Sequence, residues 1–143
     1  MSLRGWRAVR RLALLVLQRV NPGDVRIRHH WVPERRVRLH SFRHRNYWYQ
    51  GRQREAAVMR SLARLVRPGE RVVELGGHIG YLTLYFLELV REHGQVVVFE
   101  PGTNNLPYLR RNCAGIPNCE IVPMAVSDRN GPVELVLEAL SGQ

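Results

Sequence analysis

Apolar and polar positions follow three different rhythms along this chain. Between Arg71 and Glu100 they are short and dense. Arg71-Val72-Val73-Glu74-Leu75 is a β-rich run that stops at Gly76-Gly77-His78-Ile79-Gly80, Tyr81 to about Glu92 is patterned as a helix, and after Gly94 a continuous apolar run, Val96-Val97-Val98-Phe99, ends in Glu100-Pro101. The spacing predicts strand, glycine turn, helix and a second strand parallel to the first, the first half of a nucleotide-binding βαβ unit. An unbroken apolar strand is what a parallel sheet covered on both faces requires.

On either side of this unit the pattern loosens. In residues 1–20, Trp6, Val9, Ala13, Val16, Leu17 and Val20 fall on one side of a helix and Arg4, Arg7, Arg11 and Gln18 on another. Two readings of that basic amphipathic helix stand side by side: packing on the domain, or peripheral contact with an anionic membrane surface. Its apolar run, Leu12 to Leu17, is far too short to span a bilayer. Period-two alternation over residues 25–32 and 37–42, with Pro33-Glu34-Arg35 between, predicts a β-hairpin. Its arginines and histidines make either a basic binding face or an ordinary solvated one. Tyr47-Trp48-Tyr49 suits an aromatic platform for a base or sugar ring, or the seal at one end of a core.

Arg52 to Arg67 reads as a helix with Ala56, Met59, Leu62, Ala63 and Val66 inward, closed by Pro68-Gly69. Downstream, Thr103 is placed as the N-cap of a helix over about 104–113, Glu120 to Ala125 as a third strand, Asp128 to Gly131 as a turn, and Val133 to Glu138 as a returning strand. The organisation expected is an N-terminal helix and hairpin region, 1–50, followed by the α/β unit, 51–143.

Composition adds little. The 143 residues carry 22 Lys+Arg against 12 Asp+Glu, a formal charge of +10, which fits nucleic acid, anionic lipid or an acidic substrate. Every one of those cations is arginine, which points to codon bias as much as to a partner, and nucleic acid is not the favoured one. Two cysteines make neither a disulfide framework nor a zinc site, so no metal is expected and the default compartment is the reducing cytoplasm.

The chemistry sits at the glycine turn. Glycines at 76 and 80 permit a tight bend and close backbone approach to a ligand, and Glu100, twenty residues past Gly80, can accept both hydroxyls of a ribose. A dinucleotide fingerprint reads G-x-G-x-x-G, whereas these glycines read G-G-x-x-G and Glu74 precedes them. A carboxylate there repels a phosphate and suits the amino and sulfonium groups of S-adenosylmethionine.

Glu74-Leu75-Gly76-Gly77-His78-Ile79-Gly80-Tyr81-Leu82-Thr83 resembles the first motif of class I S-adenosylmethionine-dependent methyltransferases, and in particular the FkbM family. That family's pattern is close to D-x-G-A-N-x-G-x-x-T, then F-E-P, then N-x-x-x-L-x-x-N. Phe99-Glu100-Pro101, Asn105, Leu109 and Asn112 fall in register, as does the run Ala125 to Asp128 with Asn130-Gly131. Glu74, Gly77 and His78 stand where Asp, Ala and Asn are usual. Over residues 45–138 the resemblance implies a Rossmann-like methyltransferase sheet, S-adenosylmethionine as cofactor, and Glu74, Gly76, Gly77, His78, Gly80, Tyr81, Glu100, Pro101 and Asn105 as its binding residues.

It also implies O-methylation of a hydroxyl on a sugar or other small molecule. An RNA or DNA methyltransferase and a non-catalytic interaction remnant are the alternatives. Nothing matches the family's later K-x-D-x-E-G segment, so the sheet is expected to be incomplete, the chain to be the N-terminal part of a longer enzyme, and the first strand to offer an open edge for self-association. No residue is assigned as the catalytic base.

Overall fold

The computed structural model describes residues 12, 15, 16, 19, 20, 23–53, 55–132 and 134. The helix expected over residues 1–20 lies outside them apart from Leu12, Leu15, Val16, Arg19 and Val20, which are helical and exposed. The returning strand at 133–138 lies outside them except for Glu134.

A two-stranded antiparallel sheet comes first, β1 (Asp24–Arg28) against β2 (Arg36–His40). The hairpin is shorter than its alternation suggests because His29 turns inward. Its Nδ1 accepts the N–H groups of Trp31 and Val32, at 3.1 and 3.0 Å, and its Nε2 donates to the Tyr81 carbonyl at 2.9 Å. A ring bonded in this way ends the strand. Burial holds its pKa down at about 4, so the ring is neutral.

A five-residue helix follows, α1 (Arg45–Tyr49), then a 3₁₀ turn over Gly51–Gln53 and α2 (Ala56–Leu65). Tyr47 is buried and the Trp48 indole donates to the Ser41 carbonyl at 2.7 Å, so this aromatic cluster seals the core. On α2, Met59 is buried while Ala63, placed inward by its spacing, is exposed. The helix starts four residues later than expected because Gly51 and Glu55 both take positive φ, a break no helix passes through.

The rest is βαβαβ: β3 (Arg71–Leu75), α3 (Tyr81–Val90), β4 (Gln95–Phe99), α4 (Leu106–Asn112) and β5 (Cys119–Val122). Both strand pairs are parallel, in the order β3-β4-β5, with Glu74 opposite Val98 and Val98 opposite Ile121. This is the Rossmann-like α/β arrangement. Val96, Val97 and Val98 are buried, as a strand paired on both sides should be. Among the described residues β3 pairs on one side only, and Val73 and Leu75 remain 58% and 62% exposed.

Thr103 is not the N-cap of α4. The helix starts two residues later than placed, with Asn105 at its cap and Pro107 in the first turn, where the missing N–H costs nothing. At its other end Asn112 locks the hairpin to the sheet. Its Oδ1 accepts the Arg38 N–H at 2.7 Å, and its Nδ2 donates to the carbonyls of Arg38 and Ile79, at 2.9 and 2.7 Å. The side chain thus completes the free edge of β2 as a neighbouring strand would. Val37 and Leu39 of the hairpin share one buried cluster with Met59, Ile79, Leu84, Val98 and Leu109.

Candidate functional site

The site is built where β3 and β4 both end. Past Leu75 the chain turns across the top of β4, and the N–H groups of Gly76 and Gly77 both donate to the Phe99 carbonyl, at 2.8 and 3.1 Å. Gly76 and Gly80 have φ of +85° and +83°, which glycine alone adopts at no steric cost. Gly77 is required for another reason. A Cβ there would lie 2.2 Å from Cγ2 of the buried Val98, so the alanine usual in the resembling motif has no room. His78 is bent into the left-handed region too, at φ 51°. That strain aims its N–H at a carboxylate.

The carboxylate belongs to Glu100. Oε2 accepts the His78 N–H at 2.7 Å, and Oε1 accepts the Gly102 N–H at 2.8 Å and the Asn105 amide at 3.3 Å. An ionised carboxylate has about four acceptor positions, and three are taken by the protein. The expectation that Glu100 holds both hydroxyls of a ribose therefore needs restating: about one position is left for a ligand. Beside it stand two acceptors the sequence did not single out together. Asn104 Oδ1 and Asn105 Oδ1 are buried and have no hydrogen-bond partner. A buried orphan oxygen costs free energy until a donor reaches it. Close packing also explains Gly102, where a Cβ would lie 2.6 Å from Glu100 Oε1.

Glu74 is within electrostatic range of Glu100 but does not look outward. It is 6% exposed, and its Oε2 accepts the Thr83 hydroxyl at 2.6 Å. Burial pushes its pKa up to about 7, against the Thr83 bond, and the charge of Glu100 adds to the rise. Glu74 is thus a carboxyl that titrates near neutrality rather than a fixed anion. The residue that controls it, Thr83, follows Gly80 by one turn of α3 and was visible only as part of the motif.

Tyr81 is also placed away from the carboxylates. Its ring stacks on His29 at a centroid distance of 4.0 Å, and its hydroxyl meets His30 Nδ1 at 2.8 Å. It fastens the hairpin to α3. The His78 ring lies over Tyr47, its Nδ1 3.0 Å from the Tyr47 hydroxyl, and His44 meets it edge-on at 5.2 Å. Burial, with the charges of neighbouring histidines and Arg43 adding, holds the His44 pKa down at about 3. Among the sequence-predicted residues, the structure brings Glu74, Gly76, Gly77, His78, Gly80, Glu100, Pro101 and Asn105 to one end of the sheet. Among the described residues no cluster of His, Cys, Asp or Glu could hold a metal ion.

No protein-family model matches this chain, and no curated protein does. Solved structures similar to part of it include a protein-L-isoaspartate O-methyltransferase, 30% identical over 49% of this chain and 23% of the other, with a TM-score of 0.45. A SAM-dependent O-methyltransferase from Thermotoga maritima is 18% identical over 48% of this chain and 28% of its own, at 0.43. Fibrillarin from Aeropyrum pernix, solved with bound S-adenosyl-L-methionine, is 15% identical over 41% of this chain and 26% of its own, at 0.40. The chain spans roughly a quarter of the length of each of these proteins.

Proposed function

We propose that the end of the sheet formed by β3 and β4 binds S-adenosylmethionine and that the chain is a methyltransferase unit of FkbM type, directed at a hydroxyl of a sugar or similar small molecule. The observation that carries this reading is the cradle around Glu100. One carboxylate with about one free acceptor position and two unpartnered amide oxygens, Asn104 Oδ1 and Asn105 Oδ1, stand together next to a glycine turn. All three take hydrogen-bond donors. A ribosyl or adenine group offers such donors; S-adenosylmethionine and NAD both carry them, and the acid Glu74 ahead of the glycine turn is what disfavours the diphosphate of NAD.

S-adenosylmethionine, when bound, supplies an activated methyl for in-line displacement by an acceptor oxygen. The chain's own part is positioning. Glu100, Asn104 and Asn105 would take the adenosyl hydroxyl and amino groups. Gly76 and Gly80 let the backbone come close. Glu74 gains its negative charge as a cationic ligand approaches, because a positive neighbour lowers a carboxyl pKa. His78 already shares its Nδ1 with Tyr47 and is given a positioning role, not that of a base.

Calorimetry with S-adenosylhomocysteine, and with NAD as the diphosphate control, tests the reading. S-adenosylhomocysteine is expected to bind with micromolar or tighter affinity and NAD at least tenfold more weakly. Equal binding of the two, or of neither, would remove the assignment.

A further inference from the structure

The outer face of the hairpin is not explained by the glycine site. In the β1–β2 register Arg26 stands directly opposite Arg38, and Arg28 directly opposite Arg36. Two successive like-charge pairs on one face of an antiparallel ribbon are destabilising, and strand sequences ordinarily avoid them. The only acid on this face, Asp24, is already committed. It accepts from Arg38 Nε at 3.0 Å and from the Tyr108 hydroxyl at 2.6 Å, and it lies 3.8 Å from Arg111 Nη1. Among the described residues no carboxylate is paired with Arg26 or Arg36.

These side chains surround a cleft. Arg26, Arg36, Arg38 and Arg111 line it together with Asn112 and Ala114, and its volume is about 360 Å³. Arg38 and Arg111 both lie against Asp24 Oδ2, whereas among the described residues Arg26 and Arg36 have no acid of their own. Residues two apart on a strand are ~6.8 Å apart, so Arg36 and Arg38 form a row, faced by Arg26 and flanked by Arg111. A row of arginines whose backbone positions stand at this spacing, comparable to that of successive phosphates along a strand, suits a repeating diester, and each planar fork can take two phosphate oxygens.

We propose that this face of the hairpin binds the phosphodiester backbone of a nucleic-acid strand. The contacts are to phosphate and carry no sequence preference. The face also has a fixed place relative to the glycine turn, because the Asn112 amide donates both to the Arg38 carbonyl and to the Ile79 carbonyl. The inference stands whether or not the turn takes an adenosyl ligand.

The test is fluorescence anisotropy with a labelled oligouridylate, titrated at several salt concentrations. Each phosphate neutralised on a single strand contributes about −0.7 to the slope of log affinity against log salt, so Arg26 and Arg36 alone predict about −1.4, and the Asp24-paired Arg38 and Arg111 bring the limit to about −2.8. The double variant Arg26→Gln/Arg36→Gln is expected to bind roughly tenfold or more weakly at low salt, with the slope shallower by about 1.4. The same charge removed elsewhere, in Arg60→Gln/Arg64→Gln on exposed positions of α2, is expected to change neither quantity by more than about twofold.

Circular dichroism melts guard against misfolding. Without nucleic acid the hairpin variant is expected to melt at or above the wild-type temperature, since like charges have been removed. Absence of binding at low salt, an equal loss in the α2 variant, or a hairpin variant that melts well below wild type would overturn the proposal. So would loss of binding to phosphatidylserine vesicles in the hairpin variant when oligouridylate does not bind at all, since the face would then belong to a lipid surface.

Discussion

Replacing Glu100 by alanine is expected to weaken S-adenosylhomocysteine binding by roughly 10- to 100-fold, the equivalent of one charge-assisted hydrogen bond. It is expected to lower stability as well. The carboxylate accepts the His78 and Gly102 N–H groups, and leaving a buried donor unsatisfied costs about 1–3 kcal/mol. For a domain of this size each kcal/mol is worth about 2–4 °C, so with both donors left unsatisfied a melting point lower by roughly 4–24 °C is predicted. The two effects have a common origin, because the strained left-handed turn at His78 is held by the same oxygen that orients the ligand. Glu100→Gln separates them. It keeps the shape and about half of the acceptors but turns a donor toward an N–H, so it is expected to fall between wild type and alanine in melting point and near alanine in affinity. Calorimetry with thermal melts reads both quantities. Wild-type affinity in Glu100→Ala would remove this carboxylate from the site.

The second large effect concerns pH. The Glu74 pKa is raised from 4.5 to about 7 in the fold, first by burial and further by Glu100. Below about pH 4.5 the carboxyl is protonated in both folded and unfolded chains, and its contribution to stability is fully present. Between pH 4.5 and 7 the folded protein keeps a proton on Glu74 that the unfolded chain has released, so the Glu74 contribution to stability falls as pH rises, by up to ~3 kcal/mol, against the rise contributed below about pH 6.5 by His29 and His44, which the fold holds neutral. Glu74→Gln removes the falling contribution alone, so its stability relative to wild type should increase between about pH 4.5 and 7. The glutamine carbonyl can still accept from Thr83, and the variant is expected to be more stable than wild type at pH 8 and no more stable at pH 4.5. Denaturant midpoints across that range measure it. A Glu74→Gln profile parallel to wild type across that range would mean that Glu74 is ionised in the fold.

Much of the framework was legible because it depends on local rules. The period change at Gly76 to Gly80, the apolar run at 96–99 and the acid after it fix the parallel pair and the turn between its strands. What was not legible depends on contacts distant in sequence. Nothing in the residues around His29 says that its ring will accept two backbone N–H groups and end β1 early. Nothing around Thr103 says that the Asn105 amide will be drawn to Glu100 instead of leaving the cap to its neighbour.

The candidate site divides in the same way. Glycine positions at 76 and 80 follow from backbone geometry, and the acid at 100 from its place at the end of a strand. The orphan oxygens of Asn104 and Asn105 follow only from how the chain closes around Glu100. The burial that makes Glu74 a near-neutral acid likewise comes from α3 packing over it. Charge composition gave the total but not its arrangement. The opposition of Arg26 to Arg38 is a matter of hairpin register, which the alternation alone left open by the position of the turn.

The most direct measurement is a titration of the isotope-labelled protein with S-adenosylhomocysteine, followed by amide NMR shifts. Saturable shifts centred on Gly77, His78, Gly102 and the side-chain amides of Asn104 and Asn105 are predicted. Shifts centred elsewhere, or none at millimolar ligand, would contradict an adenosyl site at this end of the sheet.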